Sequence, residues 1–147
     1  MIALLESLAK QRNGGGLSWE TILVDDAGEK STRTAIEKYL NNWAASPVRL
    51  YVLERRGGVS RARNTGVRLS QGEVIAFLDD DILAERTFLA ETARAHAERS
   101  EVLVLNGKLR RLRDDYYSRF WNHHYSAAFD RALTSPYHIN RVASGFF

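Results

Sequence analysis

The amino-acid sequence of 147 residues predicts an α/β fold with a mostly parallel sheet and helices on both of its faces. Two observations carry this prediction. Short apolar runs rich in β-favouring residues alternate with segments whose apolar residues recur at helical spacing. Two of the runs, at 20–24 and 74–78, lead into consecutive aspartates, and the carboxyl edge of a parallel sheet is where ligands bind. The length is that of a single domain.

The predicted elements alternate along the chain. Amphipathic patterns predict helices at about 1–11, after a cap at Ser31 or Thr32, at 60–69, and from a cap at Thr87 to about 99. Strands are predicted at 20–24, 48–53, 74–78 and 102–105. The apolar stripe of the first helix comprises Ile2, Leu4, Leu5, Leu8 and Ala9. This regular alternation of helix and strand is typical of an α/β protein.

The run at 74–78 has no polar interruption, so it predicts a strand buried on both faces. It stops at the acidic triplet Asp79, Asp80 and Asp81. Adjacent carboxylates repel one another unless a cation joins them, and oxygen ligands of this kind suit magnesium or manganese. The alternative is that one aspartate caps the following helix. Because the strand at 20–24 also leads into two aspartates, we favour the ligand-binding interpretation.

Composition restricts the class of protein without choosing a function. The chain is 44% hydrophobic and 27% charged, and its net charge of +3 would suit phosphate groups, nucleic acid or an anionic membrane surface. It has no cysteine, which excludes disulfides and thiolate metal sites. No apolar run reaches the length of a membrane span, and the first residues lack the pattern of a signal peptide. We expect a cytoplasmic protein, with association to the cytoplasmic face of a membrane left open.

The pattern changes after residue 108, where arginines are followed by aromatic residues. Such a mixture occurs in segments that bind nucleic acid through phosphate contacts and base stacking. The aromatic residues also fall on one face of a helix, which is the better interpretation. They are Tyr117, Phe120, Trp121 and Tyr125. We therefore expect no nucleic-acid partner.

Three blocks of sequence carry a resemblance to a known family. The first is Asp25-Asp26 after a strand, the second is the block 57–66 with the sequence GGVSRARNTG, and the third is 72–81, which contains the acidic triplet. In this order and at these intervals the blocks resemble a family 2 glycosyltransferase of the GT-A fold, which is Rossmann-like. The second block is the most specific, and the resemblance extends over most of the chain.

The resemblance implies a nucleotide-diphosphate sugar, with uridine favoured, across the strand ends, and a divalent metal ion (manganese or magnesium) that bridges its phosphates. Either Asp25 or Asp26 would bind the base. The residues assigned by resemblance to the nucleotide sugar are Asp25, Asp26, Gly58, Arg63, Asn64, Asp79 and Asp80. Those assigned to the metal are Asp81 and Asp79, which would project to one side of an extended backbone while Asp80 projects to the other.

The activity implied by the resemblance is inverting transfer of the sugar to a hydroxyl group. The acceptor would be a saccharide, a lipid or a protein, as in cell-wall or polysaccharide biosynthesis. An inverting transfer needs a carboxylate base to take the proton from the acceptor hydroxyl, and in the family this base lies beyond the position of residue 147. The chain on its own is therefore expected to be inactive.

A second departure from the family pattern concerns the beginning of the chain. The family's first strand, which lies between the strands at 20–24 and 74–78, would precede residue 1. We therefore expect a partial domain, truncated at both ends, with a donor-binding part at 1–109 and the start of an acceptor side at 110–147. The two strands would either expose their edges or pair directly beneath the first helix.

Other classes of protein share parts of this pattern. A receiver-type signalling domain also has paired aspartates after an apolar strand, but it needs a lysine at the end of a later strand. Lys108 lies too soon after Asp79 to be that lysine, and the block 57–66 has no role there. A nucleotidyltransferase of related fold would share the metal-binding strand end. A non-catalytic nucleotide-binding or regulatory protein on the same scaffold is the main alternative, since no residue here matches the catalytic base.

Overall fold

A computed structural model describes residues 1–12, 16–43, 48–98 and 119–120. The chain divides into two units, Met1–Ser100 and Glu101–Phe147, and the elements described here belong to the first unit. They are α1 (Ile2–Ala9), β1 (Thr21–Asp25), α2 (Lys30–Leu40), β2 (Val48–Val52), α3 (Gly58–Leu69) and α4 (Phe88–Glu98). The strand predicted at 102–105 lies outside the described residues, as does the aromatic helix apart from Arg119 and Phe120, which are helical.

The strands β1 and β2 form a parallel pair, which confirms the α/β prediction at this part of the chain. Their register runs from Thr21 opposite Val48 to Asp25 opposite Val52. One further bond continues the ladder, since the backbone N–H of Leu53 donates to the carbonyl oxygen of Asp25 at 2.9 Å. Exposure alternates along β2, as expected for a strand with one face toward the interior.

The helix α3 packs on β1 through small side chains. A methyl group added at Gly66 would lie 3.8 Å from Cγ2 of Val24, an ordinary contact distance. The neighbouring Thr65 is buried, and its hydroxyl is satisfied because it donates to the carbonyl oxygen of Arg61 at 2.8 Å and accepts from Arg68 at 2.9 Å. This close approach fixes the position of α3 over the first strand, and with it the side chains that α3 carries.

The helix α1 supplies three of the five buried apolar residues in the described part of the chain. Leu4, Leu5 and Leu8 are buried, with Leu5 completely inaccessible, which confirms the centre of the predicted stripe. Ile2 and Ala9 were also expected in the stripe but are exposed. They are the first and last residues of the helix.

The predicted strand at 74–78 is not present in the structure. These residues are assigned to no strand, and Val74, Ile75 and Phe77 have 42%, 40% and 57% of their surface exposed. Among the described residues β1 pairs with β2 alone, so direct pairing of β1 with 74–78 is also wrong. The physical reason is that an apolar run records a tendency toward burial, while a strand also needs a neighbour for its backbone hydrogen bonds.

The predicted cap of α2 is also wrong. The helix begins at Lys30, with Glu29 at the cap position and no side-chain hydrogen bond to the first turn. The hydroxyl of Ser31 instead contacts a carboxylate oxygen of Glu29 at 3.4 Å. By contrast, α4 begins at Phe88, directly after Thr87, as predicted. In the part of the chain that the structure describes, no helix is long and apolar enough to cross a membrane.

A cluster of polar contacts holds the amino-terminal end of the sheet together. The carboxylate of Glu20 accepts from Arg49 of β2 at 2.6 Å and from the backbone N–H of Gln71 at 2.8 Å. Arg49 also donates to the carbonyl oxygen of Leu69 at the end of α3. The N–H of Gln71, with a contribution from Arg49, holds the pKa of Glu20 below its ordinary value. One carboxylate therefore connects the start of β1, the strand β2 and the end of α3.

We expect Glu20→Gln to lower the free energy of unfolding at neutral pH by about 1 kcal/mol, because the charged acceptor of two hydrogen bonds is lost. The lowered pKa of Glu20 means that this contribution is complete above the ordinary glutamate range of about 4.3 and disappears as the pH falls below it. Urea unfolding at pH 7 and at pH 3 measures both effects. The variant should differ from the wild type at pH 7 and approach it at pH 3.

The exposed Glu37 of α2 provides the control, since Glu37→Gln should leave stability unchanged at both pH values. A difference between the Glu20 variant and the wild type that is the same at pH 7 and pH 3 would contradict the role assigned to the Glu20 charge.

Candidate functional site

The carboxyl ends of β1 and β2 lie at the same edge of the sheet, because the two strands are parallel. The strand β1 ends at Asp25 and Asp26 follows it, while the loop after β2 leads into the glycine pair Gly57 and Gly58 at the start of α3. Two of the three sequence blocks are therefore adjacent in the structure, as the sequence predicted.

Asp25 is engaged within its own turn and the helix that follows. Its Oδ1 accepts from the backbone N–H of Gly28 at 2.6 Å, and its Oδ2 accepts from Nε of Arg33 at 2.8 Å. The side chain is 16% exposed, and the Gly28 N–H, with a contribution from Arg33, holds the pKa of Asp25 below its ordinary value. Between Asp25 and Gly28, Ala27 adopts a left-handed φ of 54°. Asp25 thus stabilises a tight turn that carries some backbone strain.

Asp26 makes a different contact, across the edge of the sheet. Its Oδ1 accepts from the backbone N–H of Gly57 at 2.7 Å, and its Oδ2 accepts from that of Gly58 at 2.8 Å. These N–H groups lie at the beginning of α3, where helices have unsatisfied donors and a partial positive charge. Asp26 therefore caps α3 from another part of the chain and attaches the helix to the end of β1.

The third block reaches this region through an ion pair. Arg63, on α3, donates from a guanidinium nitrogen to Oδ1 of Asp79 at 3.0 Å. The side chains are 34% and 54% exposed, so solvent screens the attraction and the pair contributes little to stability. The pair is informative about position, because it shows that α3 and the first carboxylate of the acidic triplet lie next to each other.

The remaining predicted site residues are exposed. Asn64 follows Arg63 on α3, and Asp80 and Asp81 lie in a turn in which the N–H of Ile82 donates to the carbonyl oxygen of Asp79 at 3.4 Å. The N-terminal ammonium group of Met1 donates to the carbonyl oxygen of Asp80. The backbone is therefore not extended at the triplet, and the argument that strand alternation aims Asp79 and Asp81 to one side is wrong.

Within residues 1–12, 16–43, 48–98 and 119–120, no three histidine or acidic side chains are close enough together to hold a metal ion. The triplet thus supplies carboxylate oxygens of the type that magnesium and manganese prefer, but the described residues do not gather them into a complete protein site. A metal ion held here would need further oxygen ligands from a bound molecule or from water.

Sequence reasoning missed the residues of α1 and its end that attach residues 84–89, which follow the acidic triplet. The hydroxyl of Ser7 accepts from the N–H of Ala84 at 2.9 Å. The side-chain amide of Gln11 donates to the carbonyl oxygen of Glu85 at 2.7 Å and accepts from the N–H of Leu89 at 3.0 Å. In the sequence Gln11 marked only the end of a predicted helix, since no local pattern indicates partners so distant along the chain.

The fold and the site define an α/β protein with acidic and basic groups at the carboxyl edge of a parallel strand pair. A family model described as Glycosyl transferase family 2 matches residues 1–145, and the chain belongs to this family. The match confirms the resemblance carried by the three sequence blocks. It also rules against the receiver-type and nucleotidyltransferase alternatives.

Three relatives indicate the range of proteins that this chain is similar to. Uncharacterized glycosyltransferase YfnE of Bacillus subtilis is 26% identical over 106 residues, which cover 72% of this chain and 26% of the relative. Polypeptide N-acetylgalactosaminyltransferase 13 of Homo sapiens is 44% identical over 61 residues, 41% of this chain and 11% of the relative. Poly(ribitol-phosphate) beta-N-acetylglucosaminyltransferase TarS of Staphylococcus aureus is 31% identical over 106 residues, 71% of this chain and 18% of the relative.

The aligned part of this chain thus spans about a quarter or less of the length of these three relatives. No solved structure matches the chain.

The glycine pair at the start of α3 allows a test of the backbone conformation there. Gly58 has a φ of +81°, a backbone conformation that residues other than glycine rarely adopt. We expect Gly58→Ala to lower the free energy of unfolding by about 1 kcal/mol or more. Gly66→Ala is the matched control, since its added methyl group meets only an ordinary contact in the helix interior and should raise stability by about 0.5–1 kcal/mol. Urea unfolding measures both variants, and equal effects would contradict a requirement for glycine at position 58.

Proposed function

We propose that this chain binds a nucleotide-diphosphate sugar, with a uridine nucleotide favoured, at the carboxyl edge of β1 and β2. The observation that carries the proposal is the contact between Arg63 and Asp79, because it joins the block 57–66 to the acidic triplet at the place where parallel sheets bind ligands. In the proposal the chain is the donor-binding part of a glycosyltransferase that moves the sugar to an acceptor hydroxyl with inversion.

The two aspartates after β1 take different roles in the proposal. Asp25 is committed to Gly28 and Arg33, both of its carboxylate oxygens being engaged within the turn and α2. Asp26 lies at the glycine pair and is the carboxylate proposed to hydrogen-bond the base. Each of its oxygens accepts one N–H and retains a second lone pair, so this role does not require the helix cap to break.

On the helix side, Arg63 is proposed to pair with the negative charge of the nucleotide, and Gly58 allows the ligand to approach the backbone. Asn64 would add an amide donor from the next position on α3. Because Arg63 already contacts Asp79, part of the cost of placing this long side chain is met before a ligand binds.

Asp79 and Asp81 are the residues proposed to hold manganese or magnesium, with Asp80 close to the donor. The donor set fits such an ion, since both residues are exposed carboxylates. The contact with Arg63 uses Oδ1 of Asp79, so the ion would bind through Oδ2. Bound there, the ion would act as a Lewis acid that offsets negative charge on the leaving diphosphate.

The transfer step proposed for the whole protein is a displacement at the anomeric carbon. The acceptor hydroxyl oxygen forms the new bond to that carbon while the bond to the diphosphate oxygen breaks, and the hydroxyl proton passes to a carboxylate base. The proposal assigns the described residues to the donor side of this step. The names of the relatives include a polypeptide and a poly(ribitol-phosphate) as acceptors, so they do not favour one acceptor class for this chain.

A nucleotide-binding protein without transferase activity is the second candidate. It is favoured by one observation, that the described carboxylates do not form a group able to hold a metal ion without help from a ligand. A transfer assay with uridine-diphosphate sugars and a panel of acceptors separates the two candidates. Nucleotide binding without transfer would support the second one.

We expect Asp81→Ala to weaken binding of uridine diphosphate in the presence of manganese by about tenfold or more, because a charged metal ligand is removed. Asp80→Ala is the matched control and should retain most of the affinity. The family pattern supports this difference, since the turn at the triplet gives no register argument for it. Isothermal titration of both variants measures it, and equal losses would contradict the assignment of Asp81.

Arg63→Ala is expected to weaken binding of uridine diphosphate by about tenfold or more with manganese and with a chelator, since a charge-assisted contact to the nucleotide is lost in both conditions. Lys38→Ala, which removes an exposed positive charge from α2, should leave the affinity nearly unchanged. Unchanged affinity in the Arg63 variant would show that this arginine does not bind the nucleotide.

A further inference from the structure

The acidic triplet is followed closely by a segment that is attached to α1. Residues 84–89 receive four polar contacts from the second half of α1 and the residues after it. Three involve the side chains of Ser7 and Gln11, and the fourth is the backbone N–H of Arg12, which donates to the carbonyl oxygen of Arg86 at 2.7 Å. These contacts join parts of the chain that are 74 to 78 residues apart.

Gln11 is the central group of this attachment, because its amide uses both a donor and an acceptor. Nε2 donates to the carbonyl oxygen of Glu85, and Oε1 accepts from the N–H of Leu89 in the first turn of α4. That N–H is one of the donors that a helix leaves unsatisfied at its start. Nε2 also contacts the carbonyl oxygen of Ser7 at 3.2 Å, which fixes the side chain against α1. Among uncharged side chains of this length, only an amide can make both contacts.

The distance along the chain connects this attachment to the triplet. Asp81 is three residues before Ala84, whose N–H is held by Ser7, so its Cα lies within about 11 Å of that fixed point. On the other side, Asp79 contacts Arg63 in a partly exposed ion pair. The carboxylates thus lie in a short connection between this contact with α3 and the hydrogen-bonded attachment to α1.

We propose that Gln11 is a positioning residue for Asp79 and Asp81. By holding residues 84–89 on α1, it restricts the conformations of the acidic turn, so that the two carboxylates meet a metal ion and a diphosphate with less loss of conformational freedom. This inference rests on the proposed function, because it assumes that the triplet binds a metal–diphosphate group. Gln11 itself touches no ligand.

The expected signature is a difference between two binding conditions. In Gln11→Met, which keeps the length of the side chain and removes both hydrogen bonds, the affinity for uridine diphosphate in the presence of manganese should fall by about fivefold or more. With a chelator, binding depends on Asp26 and Arg63, and the affinity should change by less than about twofold. Gln71→Met is the matched control, since Gln71 has an exposed side chain and should change neither affinity.

A second measurement tests the attachment without a nucleotide. Trypsin cleavage after Arg86, followed by mass spectrometry, should be several-fold faster in Gln11→Met, because release of the segment from α1 makes this bond accessible. Cleavage after Arg33 in α2 serves as the internal reference and should not change. Gln11→Glu, which retains an acceptor for the N–H of Leu89 and loses the donor to Glu85, provides a milder variant if the methionine variant does not fold.

Three outcomes would overturn the positioning role. The first is an equal loss of affinity with manganese and with the chelator, which indicates general destabilisation. The second is unchanged cleavage after Arg86, which shows that Gln11 does not hold the segment. The third is a wild-type chain that binds uridine diphosphate in neither condition, which refutes the proposed function as well. In that case, faster cleavage in the variant would identify Gln11 as a structural contact alone.

Discussion

The parallel pairing of β1 with β2 is the constraint on which the rest of the described structure depends. It places the end of one strand beside the end of the other, so that the turn after Asp25 and the loop before Gly57 meet. Two strands alone are only marginally stable, so the pair needs cover and lateral contacts. These come from α3 on β1 and from the polar cluster around Glu20 at the opposite edge.

The two adjacent carboxylates at the end of β1 have separate structural roles, because Asp25 is the last residue of the strand and Asp26 already lies beyond it. Asp25 interacts with its own turn and with Arg33 of α2, while Asp26 reaches the glycine N–H groups of α3. One dipeptide therefore connects the end of the strand to both α2 and α3. The proposed ligand-binding edge therefore contains one aspartate, Asp25, whose two carboxylate oxygens are both engaged in structural hydrogen bonds.

Much of the fold could be predicted from the sequence, because the information is local. The strand predicted at 48–53 and the leucines of α1 are indicated by patterns within a few residues, and both predictions are confirmed. The prediction of a strand at 74–78 is wrong because a strand needs a neighbouring strand for its hydrogen bonds, and the apolar run does not specify one. The predicted cap of α2 is wrong for a related reason, since the hydroxyl of Ser31 contacts Glu29 and not the helix backbone.

The candidate site was predictable to a similar extent. Arg63 and Asp79 belong to blocks that the sequence indicated as functional, and the structure brings them into contact. The choice between Asp25 and Asp26 could not be made from the sequence, because both follow the same strand and only their hydrogen-bond partners distinguish them. Gln11 was also beyond sequence reasoning, since the significance of an amide depends on which distant backbone groups it meets.

The sequence separation of the contacts made by α1 has a consequence for the order in which the molecule opens. The strands pair across 27 residues, from Thr21 to Val48, whereas Gln11 closes loops of 74 and 78 residues. Closing the longer loop costs about 1 kcal/mol more in chain entropy. An eight-residue helix has little stability of its own once it is detached. We therefore expect α1 to dock late in folding and to leave first in partial unfolding, which would release the acidic turn while the paired strands and α3 are still intact.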